Sequence, residues 1–103
     1  MGASRLKLQS KLVELLGSEH VYYQPPENLR MKYPCIRYNL SSGNTRFADN
    51  KPYSFDKEYT ITMIGYSVDE DMVKKIAMHF PKSRYDRQYK ADNLVHDVFT
   101  IYY

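Results

Sequence analysis

The sequence predicts an α+β fold, a two-layer sandwich in which one mainly antiparallel or mixed β-sheet carries two α-helices packed on one face. Two segments space their apolar residues as helices do, and the other periodic segments are rich in β-branched and aromatic residues. The predicted order is helix, two strands, a long loop, strand, helix and two strands. Strands that are joined by loops favour antiparallel or mixed pairing, so both helices are expected to cover the same face.

The first helix is predicted over residues 4–17. Ser4 is its expected N-cap, and Gly17 is the expected residue just beyond its end, in the left-handed conformation. The apolar stripe consists of Leu8, Leu12, Leu15 and Leu16.

Two strands are predicted next, over residues 20–23 and 34–40. Pro25 and Pro26 end the first strand because proline has a fixed φ and no amide donor. The second strand places Cys35, Arg37 and Asn39 on one face and Ile36, Tyr38 and Leu40 on the other.

Residues 41–56 show no sustained period, which predicts a long loop. Loops of this length are uncommon inside a compact domain and are usually functional or disordered. Phe47, Tyr53 and Phe55 favour a role in binding, because aromatic side chains on a purely solvated loop lower solubility. The alternative is a solvated hairpin arm.

Residues 57–80 are predicted to form a central strand that runs directly into the second helix. Asp69 is the expected N-cap, Glu70 and Asp71 place negative charge at the positive end of the helix dipole, and Pro81 stops the helix. The stripe that must pack on the sheet consists of Met72, Val73, Ile76, Ala77 and Phe80.

The last two strands are predicted over residues 84–90 and 94–103, with a turn at 91–93. The first of them is predicted to be an edge strand with charge on both faces, which discourages open-ended pairing. Its predicted faces are Tyr85, Arg87 and Tyr89 on one side and Arg84, Asp86, Gln88 and Lys90 on the other.

The composition predicts a single domain over residues 1–103. The net charge of +3 is too small to decide between classes of partner. The aromatic residues are eleven tyrosines and four phenylalanines, with no tryptophan. Tyrosine suits surfaces that are apolar at the ring and wet at the hydroxyl, which include protein interfaces. An oligomer is therefore expected, and the family resemblance described below implies a homo-oligomer.

The residues and motifs that commonly carry catalysis or bind metals predict neither an enzyme nor a cofactor or metal site. His20, His79 and His96 do not stand at metal-ligand spacing, and Cys35 lies in an apolar run where a buried thiol is expected. Neither a glycine-rich phosphate loop nor a G-x-S-x-G nucleophile motif is present in the sequence.

Targeting features point to a cytoplasm-like compartment without a membrane partner. No stretch approaches the roughly 20 apolar residues that span a bilayer, and the first residues lack the apolar region of a signal peptide.

A small nucleic-acid-binding domain is the alternative from a different class. Residues 81–90 hold four cations and two tyrosines, which can meet phosphates and stack on bases. However, the RRM consensus is absent, and neither predicted helix has a basic recognition face.

Four short motifs, in this order and spacing, resemble a family of small tail completion or tail terminator proteins of long-tailed bacteriophages and prophages. The resemblance extends from about Arg5 to Tyr103. The motifs are Tyr22-Tyr23-Gln24-Pro25-Pro26, residues 33–38, Ala48-Asp49-Asn50 with Tyr53, and Asp92-Asn93-Leu94 with His96-Asp97.

The resemblance implies a virion structural protein that forms a ring, typically of six copies, at the head-proximal end of the tail tube. There it would end polymerisation of the tail tube protein and present a surface to the head-tail connector protein. It implies assembly in the bacterial host cytoplasm, DNA passing nearby without specific binding, and no catalytic residues. Other head-tail connectors, such as an adaptor or stopper, and minor capsid proteins are alternatives of similar size and composition.

Two sets of residues are predicted to make contacts within such an assembly. The first set, on the long loop, would contact a neighbouring subunit or the tail tube; it comprises Arg46, Phe47, Asp49, Asn50 and Tyr53. The second set, Arg84, Arg87 and Lys90, would face the lumen or form salt bridges between subunits. For the first set, a hairpin that folds back on its own sheet is the alternative.

Overall fold

The computed structural model describes residues 2–42, 46–48, 51–54 and 57–103, and the side chains within residues 5–41 and 57–103. Two helices and seven strands are found in these ranges. They are α1 (Gly2–Leu16), β1 (Val21–Tyr23), β2 (Cys35–Ser42), β3 (Arg46–Ala48), β4 (Lys51–Ser54), β5 (Glu58–Gly65), α2 (Glu70–His79), β6 (Ser83–Ala91) and β7 (Leu94–Tyr102).

The predicted α+β architecture is confirmed. Five strands form one mixed sheet in the order β1-β2-β5-β7-β6, and both helices pack on one face of it. Every pairing in this sheet is antiparallel except that of β1 with β2, which is parallel. The buried core between the layers is made of Leu8, Leu12, Val21, Ile36, Tyr38, Tyr59, Ile61, Met63, Met72, Ile76, Phe80, Phe99 and Ile101.

Helix α1 begins two residues earlier than predicted, so Ser4 lies in its first turn and is not its N-cap. Gly17 has a φ of +78° and ends the helix as predicted, with its N–H bonded to the carbonyl oxygen of Val13. Gln9 fixes the helix to the sheet, because its amide accepts a 2.5 Å hydrogen bond from the Tyr38 hydroxyl and donates to the Val21 carbonyl at 3.1 Å.

The central strand β5 and helix α2 follow the sequence pattern closely. Asp69 is the N-cap and accepts a 3.0 Å hydrogen bond from the N–H of Met72. The helix ends at His79, and Phe80 has an extended backbone, as expected for a residue before proline. Ala77 is exposed, so the buried stripe is narrower than predicted.

The prediction of a long loop over residues 41–56 is wrong in part, and the hairpin given as its alternative is found. β2 extends to Ser42, and β3 pairs antiparallel with β4 in a separate two-stranded sheet. Strands of three and four residues are too short to produce a readable period of two, which is why the pattern predicted a loop.

Strands β6 and β7 form a hairpin whose two-residue turn is Asp92-Asn93. Both turn residues have positive φ, at 53° and 62°, as a type I′ turn requires. β6 lies at the sheet edge as predicted, but it contains a β-bulge at Asp86. An extra residue reverses the alternation of side chains along the rest of the strand, so the predicted faces of β6 are wrong beyond Asp86.

Candidate interaction surface

The face of the five-stranded sheet that lies opposite the helices is called the open face here. In register across it, Arg37 on β2 neighbours Thr62 on β5, then Val98 on β7 and Arg87 on β6. A parallel row consists of Asn39, Thr60, Thr100 and Arg84. These two rows are mainly polar, with arginines on both sides of a threonine-rich centre.

A depression of about 190 Å³ lies in the middle of the open face, and we call it the cationic cleft. Arg37 and Arg87 are exposed, and they enter its lining from opposite sides. The side-chain oxygen Oδ1 of Asn39 is buried there and accepts no hydrogen bond from any described residue. The lining consists of Arg37, Asn39, Thr60, Thr62, Arg87, Tyr89 and Val98.

The bulge at Asp86 brings Arg84 and Arg87 to the same face although they are three residues apart. Asp86 accepts hydrogen bonds from the Thr100 hydroxyl at 2.5 Å and from Nε of Arg84 at 2.6 Å. Burial alone would raise the pKa of Asp86, but these two donors outweigh burial and hold the pKa below its usual value. The charge of Arg84 is thus paired within its own chain.

Lys90 does not join this group. In the register of the hairpin it lies opposite Val95, on the face that carries the helices. Of the three cations predicted to act together, the structure places Arg84 and Arg87 on the open face and separates Lys90 from them.

Arg87 and Tyr89 form a small stacked group on the open face. The guanidinium carbon of Arg87 lies 5.3 Å from the centre of the Tyr89 ring. That ring stacks on His96, with centroids 4.6 Å apart and planes 11° apart. Asp97, the next residue, lies on the opposite face, as the strand alternation predicted.

Four residues that line the cleft were not predicted to be functional, namely Arg37, Asn39, Thr60 and Thr62. The signal was available, because period-two alternation puts Arg37 with Asn39, and Thr60 with Thr62, on common strand faces. The missing step was the pairing of β2 with β5, which makes the two faces one surface.

Three of the five loop residues predicted to contact a partner fall on the β3–β4 hairpin. Arg46 and Phe47 belong to β3 and Tyr53 belongs to β4. Asp49 and Asn50 lie outside the described residues.

A buried carboxylate lies on the helix-bearing face near the start of α2. Asp97 is 1% exposed and accepts hydrogen bonds from the Tyr85 hydroxyl at 2.7 Å and from Nε2 of Gln88 at 2.8 Å. Burial and the bond to Asp97 raise the pKa of Tyr85 to about 12. Asp97 also lines a pocket of about 280 Å³ together with Asp69.

The residues at the start of α2 form an exposed acidic turn, defined by Asp69, Glu70 and Asp71. Two exposed apolar side chains precede it, because Tyr66 is 70% and Val68 50% exposed. The turn therefore combines three carboxylates with accessible apolar surface.

Cys35 is buried, as predicted, and is a free thiol. Burial raises its pKa to about 11, against the lowering effect of the nearby Arg37 charge. Within the described ranges, no three His, Cys, Asp or Glu side chains are grouped so that they could hold a metal ion. Neither helix in those ranges is long and apolar enough to cross a bilayer.

Comparisons with known proteins do not assign this surface. No family model matches the chain, and no curated protein or solved structure does either. The resemblance to tail terminator proteins therefore stays a prediction from the sequence motifs.

Proposed function

We propose that this chain is a bacteriophage virion structural protein that caps the head-proximal end of the tail tube, ends tail polymerisation and helps join tail to head. In this proposal it acts as a ring of about six copies and contacts both the tail tube protein and the head-tail connector protein. It is assembled in the host cytoplasm, catalyses no reaction and needs no cofactor.

The observation that carries the proposal is the charged part of the open face, which neither helix covers. A sheet face that its own helices do not cover is available for contacts with other chains. Charged and hydroxyl side chains arranged across four strands suit a specific polar contact with another protein.

The four sequence motifs support the same proposal through their positions. The first and second motifs fall at β1 and at the start of β2, and the last falls on the β6–β7 turn. The third falls on the β3–β4 hairpin, where Arg46, Phe47 and Tyr53 are proposed to contact a neighbouring subunit or the tube. Turns and short hairpins are the parts of a domain that most often carry binding residues.

The test is the solution mass, measured by size-exclusion chromatography with light scattering over a concentration series, with and without purified tail tube protein. We expect a ring of about six copies, alone or on the tube. A chain that stays monomeric and ignores the tube protein would overturn the proposal in favour of another connector role, such as an adaptor or stopper, or a minor capsid role.

Deleting residues 43–56 tests the hairpin separately. Loss of the ring with retained folding, measured by circular dichroism, is the expected result. An unchanged solution mass would show that the hairpin is not the subunit contact.

Nucleic-acid binding is the second candidate, and the Arg87–Tyr89–His96 stack on the open face favours it. A gel shift with short duplex DNA would test it, and saturable binding that weakens steeply with salt would be the expected signature. Binding that is absent at low salt would exclude this candidate.

A further inference from the structure

We propose that the cationic cleft is a subunit contact of the ring, and that its occupant is the acidic turn of a second copy of this chain. The inference deepens the proposed function and rests on it. It assigns both halves of one contact to residues of the same sequence.

The cleft offers two cations to an anionic group. Arg37 and Arg87 lie in the same cross-strand row and are separated by three strand spacings, roughly 14 Å between backbones at about 4.8 Å per spacing. Long guanidinium side chains that line one cleft from both sides can clamp a carboxylate between them. The volume of about 190 Å³ is enough for a carboxylate side chain, since one water takes up about 30 Å³.

Asn39 indicates what else the occupant must carry. Its buried Oδ1 is an acceptor that has no donor among the described residues. A buried acceptor without a donor is costly, and an occupant with an N–H or O–H group beside its negative charge would supply one once the Asn39 amide turns toward it. A phosphodiester has no hydrogen-bond donor, whereas a protein segment always carries backbone N–H groups. The cleft therefore fits an acidic protein segment better than a DNA backbone.

The acidic turn has this combination of groups. The side-chain carboxylate of Asp69 accepts a hydrogen bond from the N–H of Met72. The backbone carbonyl oxygen of Asp69 accepts one from the N–H of Val73. Glu70 and Asp71 are the first two residues of α2, so their backbone N–H groups have no acceptor within the helix. The side chains of Glu70 and Asp71 are exposed, and in this inference they meet Arg37 and Arg87 of a neighbouring copy.

The location of the two patches makes the contact head-to-tail. α2 packs on one face of the sheet, and the cleft lies on the other. In a two-fold dimer the same surface of both copies forms the interface. Such a dimer is ill suited to join the cleft to the acidic turn, because they lie on opposite layers of the domain. A head-to-tail contact instead repeats around an axis and gives a ring when the rotation closes.

The experiment is a charge swap with light scattering as the readout. The face variant carries Arg37→Glu and Arg87→Glu, and the turn variant carries Glu70→Lys and Asp71→Lys. Each variant alone places like charges against each other, which should weaken association on the order of 100-fold and give monomers at concentrations where the wild type is a ring. A 1:1 mixture restores opposite charges at every contact and should restore the ring.

A matched control separates this contact from net charge. Lys7→Glu with Lys75→Glu changes the charge as much as the face variant does, but at exposed positions on the two helices. The control should remain a ring, and circular dichroism should show that every variant is folded.

The outcomes distinguish this inference from the proposed function. If the wild type and the face variant form equally stable rings, the inference is overturned but the proposed function is not. The inference is also overturned if each variant alone is folded and monomeric but the 1:1 mixture does not form a ring. It is overturned as well if the face variant keeps the ring and loses binding to duplex DNA. A wild-type chain that remains monomeric even with tube protein overturns both.

Discussion

The hydroxyl of Tyr85 donates a 2.7 Å hydrogen bond to the carboxylate of Asp97, which is 1% exposed. Gln88 donates to the same oxygen at 2.8 Å. Tyr85 and Gln88 flank the bulge at Asp86, and without the extra residue they would point to opposite faces. A buried carboxylate thus fixes the register of the edge strand β6 on β7.

Replacing Tyr85 with phenylalanine should destabilise the protein by about 1–2 kcal/mol, because the buried Asp97 loses one of its two donors. The free energy of unfolding in urea measures this loss. Tyr66→Phe is the control, since Tyr66 is 70% exposed and its substitution should change stability by less than about 0.5 kcal/mol. Equal stability of Tyr85→Phe and wild type would show that the bond contributes nothing.

The elements with strong local signals could be predicted from the sequence. Asp69 and Pro81 mark the limits of α2, and the alternation of residues 58–65 marks β5, because capping, proline chemistry and side-chain period act within a few residues. Gly17 likewise ended α1 as predicted. These features need no knowledge of the rest of the fold.

The features that depend on pairing between distant segments could not be predicted in the same way. The bulge at Asp86 is defined by its partner strand, so the predicted alternation of β6 put Arg84 and Lys90 on one face and Arg87 on the other. The cationic cleft needs the order β2-β5-β7-β6, which brings Arg37 into one row with Arg87. Of the two arginines that line the cleft, Arg37 was therefore absent from the sequence prediction.

Stability should fall in acid because of Asp86. Its pKa is lowered in the folded state, so the carboxylate contributes stability above its unfolded pKa of about 4, and this contribution is lost as the pH falls through the lower folded value. Urea unfolding of wild type and Asp86→Asn should differ most near pH 6, and the difference should shrink below about pH 4.

Thr100→Val provides the control for this acid dependence. It removes the hydroxyl that donates to Asp86 but leaves every charge in place. The variant should be less stable than the wild type at pH 6 and should show a weaker decline in acid. A decline identical to that of the wild type would mean that another group is responsible.

The thiol of Cys35 should resist alkylation while the protein is folded. The side chain is fully buried and its pKa is raised to about 11, so roughly one thiol in a thousand is ionised at pH 8. Mass spectrometry after iodoacetamide treatment should show slow labelling in buffer and rapid labelling in urea. A Cys35→Ala, Ser41→Cys variant should label rapidly in both, since Ser41 is exposed. Rapid labelling of folded wild type would contradict the buried position.

The turn of the β6–β7 hairpin should be sensitive to the backbone preference of residue 93. Asn93 is exposed and has a φ of 62°, so Asn93→Gly should stabilise the protein by up to about 1 kcal/mol or leave it unchanged. Asn93→Val should destabilise it by about 1–2 kcal/mol, because a β-branched residue is strained at positive φ. Asn28→Val, at an exposed position without positive φ, is the control for urea unfolding. If both valine variants lose equal stability, backbone strain at the turn is not the cause.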